Sequence, residues 1–237
     1  MVEWLQLPPE KRPHLITFYF SEVDHAGHLF GPDAPQTRDA VKEVDEAIGK
    51  LTKAVDALQL PVNYIFLADH GMAAVDTVTR MDLTPLIDTS LYWIRGGTTQ
   101  VNIYVKPGVS TDTLRAKLNS AVPSFDLYRK NELPTRWHYS SSDDHYGRIG
   151  DWVAVARYPS VFTEGTRRIN PGTHGFDPGM KEMHAVFYAW GPAFRKGLTI
   201  PSFENIHVYP LVAQLLGLPY THRIDGRAEV LSPILKK

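Results

Sequence analysis

Two apolar runs flank a long helical seam near the start of this 237-residue chain, and that order limits its fold more than any other feature. Residues 14–20 are mainly β-branched and aromatic with little alternation, as in a strand buried on both faces. Val41, Val44, Ile48, Leu51, Val55 and Leu58 then recur at three- and four-residue steps with Lys and Glu between them. That period predicts an amphipathic helix, which Pro61 should close. Residues 62–68 form a second buried run, and residues 185–190 a third. Strand, helix, strand is a βαβ unit, whose strands normally lie parallel with a right-handed crossover. The pattern predicts an α/β fold: a mainly parallel sheet flanked by helices, with strands 14–20, 62–68 and 185–190 side by side.

The middle of the chain follows another pattern. Residues 101–105 and 151–156 alternate, as strands with one covered face do. Leu114 and Leu118, after the cap Ser110-Thr111-Asp112, mark a short helix between them. These elements predict a small inserted α+β lobe over residues 90–160, carried by a core of residues 1–89 and 161–237. Ile206, Tyr209, Val212, Leu215 and Leu216 mark a closing helix that stops at Gly217 and Pro219. Pro210 requires that helix to start near it or to kink. The first nine residues read as the end of a helix halted by Pro8-Pro9, without the features of a signal peptide.

Composition narrows the chemistry. The chain has no cysteine, which removes disulfides, thiolate ligands and thiol nucleophiles. Lys+Arg 25 against Asp+Glu 26 gives a net charge of -1, without the basic footprint of a nucleic-acid-binding surface. The pairs Arg129-Lys130 and Arg167-Arg168 are too small to change that. No apolar run approaches the roughly 18 residues of a membrane-spanning helix. A nucleophile elbow, a phosphate-cradling Gly-rich loop and a dinucleotide fingerprint are all missing.

Asp and His residues at the ends of the expected strands remain. Asp24 and His28 lie four apart, so one helical turn puts them on the same side. Asp69-His70-Gly71 follows the second apolar run, and His174 lies in a Gly-flanked loop before the third. Ligands of parallel α/β sheets bind beyond the carboxyl ends of the strands. Carboxylate oxygen with imidazole nitrogen suits catalytic zinc with an open coordination position. Asp69 and His70 can serve one ion only if the chain leaves its strand there, a turn that Gly71 permits. Taken singly, these groups also read as a surface pair, a capped turn and a loop residue. Together they point to a metal.

The segment from Tyr19 through Ser21-Glu22-Val23-Asp24-His25-Ala26-Gly27-His28 to Pro32 closely resembles the second metal motif of the nucleotide pyrophosphatase/phosphodiesterase family, in the alkaline phosphatase superfamily. Ala68-Asp69-His70-Gly71-Met72 is similar to its third motif. Gly172-Thr173-His174-Gly175-Phe176-Asp177, followed by Met183-His184-Ala185 and Gly191-Pro192-Ala193-Phe194, resembles its last. The likeness runs in order over nearly the whole chain.

The resemblance implies two zinc ions, one held by Asp24, His28 and His174 and another held in part by Asp69 and His70. It implies a substrate-facing ring at Tyr19, for which a core tyrosine is the competing reading. His184 reads as a buried structural histidine, and His25, His138, His145, His207 and His222 as surface or packing residues. Trp137-His138-Tyr139 with Asp143-Asp144-His145 reads as a solvated loop. No segment resembles the family's earlier part, with its further metal ligand and Thr or Ser nucleophile. The chain is therefore expected to be the C-terminal portion of a catalytic domain, with Met1 internal. The implied activity is zinc-dependent hydrolysis of phosphodiester or pyrophosphate bonds in nucleotides or related small molecules, outside the cytoplasm and from a bacterial source. The chain alone is expected to be inactive or very weak. The alternatives are a non-catalytic metal-binding fragment or degenerate homologue, or a phosphonoacetate hydrolase or phosphomonoesterase.

Overall fold

The computed structural model describes residues 1–83, 87–110, 114 and 124–236. Three helices open the chain: α1 (Val2–Leu5), α2 (Glu22–Phe30) and α3 (Pro35–Asp56). Glu22 and Asp24 occupy the first turn of α2, where negative charge suits the helix dipole, and Gly31 ends it with φ +93°. Pro35 opens α3, a position that uses no amide hydrogen. Along its seam Val44 and Val55 are buried while Val41 stays exposed. The helix ends earlier than Pro61 requires: Gln59 turns left-handed at φ 55°. Its amide donates to Asp56 O at 3.0 Å.

The strands are β1 (Tyr64–Leu67), β2 (Ala73–Ala74), β3 (Tyr92–Gly96), β4 (Gln100–Val105), β5 (Phe125–Arg129), β6 (Trp152–Ala156), β7 (Gly172–Thr173) and β8 (Phe187–Trp190). Two further helices close the chain, α4 (Val208–Leu216) and α5 (Ala228–Leu231). The residues divide into two compact units, one of 1–20, 42–69 and 185–237, the other of 21–41 and 70–184.

In the first unit β1 and β8 pair antiparallel, with Tyr64 opposite Trp190 and Leu67 opposite Phe187. Ile65, Phe187 and Ala189 pack against a core of Phe194, Leu211, Leu231 and Ile234. The alternate residues form ring pairs, Tyr64 with Trp190 at 5.0 Å and Phe66 with Tyr188 at 6.3 Å. The expected parallel order is therefore corrected: every strand ladder among the described residues is antiparallel. Residues 14–20 form no strand, so they do not complete a βαβ unit. Apolar composition suits a strand, but only hydrogen-bonded partners and cross-strand contacts make one. Phe18 and Tyr19 are exposed instead. Pro210 is the third residue of α4, where its missing N–H leaves no bond unmade, so the helix starts near it without a kink. Gly217 caps α4 left-handed, and Leu218 N donates to Ala213 O at 2.9 Å. Buried His207 packs here, its Nδ1 accepting the Arg227 amide.

The second unit is built on a four-stranded sheet ordered β3-β4-β6-β5. Trp152, Ala154 and Ala156 of β6 enter one core with Ile103 and Phe125, while Val153 enters another with Leu133 and Ile149. The alternation in β6 thus separates two covered faces, rather than a covered face from a wet one. Gly96 and Gly97 lie at the β3–β4 hairpin turn, a signal present in the sequence. Leu114 is buried, but the rest of the helix expected around it lies outside the described residues. Most of the stretch around Asp144 is exposed, as a solvated loop is, with His138, Asp143, His145 and Tyr146 all facing solvent, but Asp144 itself is held. The Asp144 side chain is only 3% exposed, pairs with Lys130 Nζ at 2.6 Å and accepts the amides of Arg148 and Ile149. Tyr139 and Trp137 pack on the second core.

Candidate metal centre

The site lies in the second unit and starts with α2, where the four-residue spacing puts Asp24 and His28 on one side. His174 follows directly on β7, which pairs with β2 through Ala73–Thr173 and Ala74–Gly172. Glycine lets these elements meet. A Cβ on Gly172 would lie 2.0 Å from the carbonyl oxygen of Gly27 in α2, a contact no side chain permits. On Gly27 itself a Cβ would press against Met72 at 3.1 Å. Gly175, at φ +92°, turns the chain just after His174 beside Thr99.

Asp24 Oδ1 lies 3.6 Å from His28 Nε2 and 3.8 Å from His174 Nε2. One ligand atom from each of the three residues lies within 4.8 Å of the others. Tetrahedral zinc with ligand bonds near 2.1 Å would set its ligand atoms about 3.4 Å apart, so this spacing fits one ion. The His28 and His174 rings are tilted by 53°, with centroids 5.0 Å apart.

Hydrogen bonding sets the tautomer of His28. Its Nδ1 lies 2.9 Å from Gly172 O, and a carbonyl can only accept, so Nδ1 carries the proton. Nε2 is then left with its lone pair toward Asp24, the usual arrangement of a metal-binding imidazole oriented by a backbone carbonyl. Asp24 Oδ1 is buried and has no hydrogen-bond partner. An isolated buried carboxylate oxygen is costly, and a cation is what this donor set would accept.

The remaining expected residues are placed differently. His70 Nδ1 donates to Gly71 O at 2.9 Å, and its ring stacks on His174 at 3.5 Å, but it is outside the three-residue group. Asp69 belongs to the first unit, where its backbone carbonyl accepts from Asn205 Nδ2 at 3.1 Å. β1 ends at Leu67, so the chain has left the strand before Asp69. Gly71 is required for a different reason than a turn: a Cβ there would lie 2.0 Å from Glu182 O. Tyr19 is 79% exposed, and His184 is exposed rather than buried. The Gly172 carbonyl that orients His28 went unnoticed in the sequence, because a backbone acceptor has no residue-type signature.

A family profile described as type I phosphodiesterase / nucleotide pyrophosphatase matches residues 1–177. Ectonucleotide pyrophosphatase/phosphodiesterase family member 7 of Rattus norvegicus is 31% identical over 96% of this chain and 52% of its own length. Venom phosphodiesterase of Naja atra is 32% identical over 92% of the chain and 27% of its own length. The chain thus spans about half of the rat relative and about a quarter of the venom protein. The structure of murine ectonucleotide pyrophosphatase / phosphodiesterase 5 superposes with a TM-score of 0.88 at 30% identity, over 99% of this chain and 62% of that one. This likeness bears out the alkaline-phosphatase-like α/β class. These relatives are eukaryotic, so the expectation of a bacterial source finds no support in them.

Proposed function

The chain belongs to the type I phosphodiesterase / nucleotide pyrophosphatase family, and on that premise we propose that it is the metal-binding portion of a zinc-dependent hydrolase acting on phosphodiester or pyrophosphate bonds of nucleotides and related small molecules. The observation that carries the reading is the buried Asp24 Oδ1, without a hydrogen-bond partner and facing two imidazole Nε2 atoms. Asp24, His28 and His174 hold one zinc ion, and Asp69 and His70 contribute to a second. Bound zinc supplies Lewis-acid polarisation of a phosphoryl oxygen and lowers the pKa of a water. The protein's own share is orientation: Gly172 O fixes the proton on His28 Nδ1, and the glycine contacts hold α2 against β7.

The nucleophile and the oxyanion-binding amides come from sequence outside this chain, and residues 90–160 are an inserted lobe. Tyr19 contributes its ring to the substrate. Relatives named as ectonucleotide enzymes and as a venom phosphodiesterase support action outside the cell. The test is zinc binding by equilibrium dialysis together with hydrolysis of a nitrophenyl nucleotide diester. The chain should bind about one zinc tightly, and His28→Ala should weaken that by about 100-fold or more, beyond the effect of removing an orienting partner. Hydrolysis should stay near background. Zinc bound equally by His28→Ala would overturn the ligand assignment, and brisk hydrolysis would overturn the placement of the nucleophile.

A further inference from the structure

A depression of about 460 Å³ in the second unit is lined by Thr77, Arg80, Thr166, Arg168, Ile169 and Pro171. None of these residues belongs to the metal-binding group. One wall is the segment after β2, and the other is the segment leading into β7. The two walls are tied together. Arg80 Nη1 donates to Arg167 O at 2.7 Å and to Gly165 O at 3.4 Å. Gly165 N donates to Asp82 Oδ2 at 3.0 Å, and Thr163 N to Met81 O at 2.9 Å.

The lining holds two guanidinium groups and two hydroxyls but no carboxylate. Two neighbouring acids have other work: Asp82 accepts the Gly165 amide, and Asp76 accepts those of Val78 and Thr79. Arg168 has no hydrogen-bond or ion-pair partner among the described residues. A guanidinium presents five donors in a planar fork suited to oxyanions, and Arg80, tied by carbonyls through one nitrogen, keeps its others available. Anchoring it in advance reduces the ordering cost of binding. The volume falls in the range of small-molecule sites, and Ile169 and Pro171 add an apolar side. Such a site suits one compact, multiply charged anion, and it is far too small for a nucleic-acid surface.

We infer that this depression binds a phosphate-type oxyanion, as inorganic pyrophosphate or as the phosphate of a nucleotide, between Arg80 and Arg168. Pro171, at one wall of the depression, is three residues from His174, so its Cα lies no more than about 11 Å from that of the metal-centre residue. Binding itself needs no metal.

The experiment is calorimetric titration of the metal-free 237-residue chain with inorganic pyrophosphate, and separately with AMP. Saturable, salt-sensitive binding is expected, weakened about 10-fold or more by Arg168→Gln, as befits loss of a charge-assisted contact. Arg80→Ala should weaken it too, and circular dichroism checks that the tied segments still fold. His28→Ala should leave it unchanged. Pyrophosphate binding with or without AMP binding supports the site, and the AMP arm separates a free anion from a nucleotide phosphate. No saturable binding, binding indifferent to Arg168→Gln, or binding lost in His28→Ala would each overturn the inference.

Discussion

In the second unit β6 is covered on both sides, with Val153 and Ala154 fully buried on opposite faces. In the first unit β8 is equally apolar in sequence, yet among the described residues it pairs only with β1 and leaves Tyr188 61% exposed. Both strands alternate. What differs is the number of faces that find a core, and a strand's own residues do not state that number. The β6 face that read as wet carries Val153 and Val155, and the β8 run that read as doubly buried carries Tyr188 and Trp190 in ring pairs on its outer face.

Truncating one large side chain in each strand gives the largest contrast. Trp152 is fully buried in the first core of the second unit, so Trp152→Ala should cost about 3–5 kcal/mol in urea denaturation. Tyr188→Ala should cost no more than about 1 kcal/mol, the scale of an exposed cross-strand ring pair. Equal losses would break the comparison.

Glycine separates the units at a smaller scale. Gly172 is needed for space, since its Cβ would meet the Gly27 carbonyl. Gly172→Ala should cost about 1–3 kcal/mol by overpacking and should weaken zinc binding, because α2 must move away from β7. Gly217 has open space around it and is needed only for its φ of +65°. Gly217→Ala should cost about 1 kcal/mol and Gly217→Asn less, with zinc binding untouched in both. A thermal melt and a zinc titration on all three variants would show whether packing and backbone conformation separate in this way.

The smallest effect is confined to acid. The Lys130 hydrogen bond, then the Ile149 amide, hold the Asp144 carboxyl well below its ordinary value of 3.8. A depressed folded-state value means stabilisation that is present above the unfolded value and lost as pH falls toward the folded one. Stability measured from pH 5 down to pH 2 should therefore fall less steeply for Lys130→Met than for the natural chain, so that the gap between the two curves narrows below about pH 4. Parallel curves would remove Asp144 from the account of the second unit's packing.

Sequence alone determined what is local. Periodicity marked α3 and α4, the Gly217 stop was legible, and the spacing of Asp24 and His28 already placed them on one helical side. A helix makes its hydrogen bonds within four residues, so its evidence lies within a short window. Tertiary structure decided the rest. The antiparallel pairing of β1 with β8 joins residues more than a hundred positions apart, and residues 14–20 have no strand partner among the described residues. His174 meets Asp24 and His28 only because Gly172 lets β7 touch α2, and the proton on His28 Nδ1 is set by a carbonyl 144 residues away. Strand pairing and ligand convergence depend on which distant backbone fills the space beside a residue, and no local pattern of side chains encodes that.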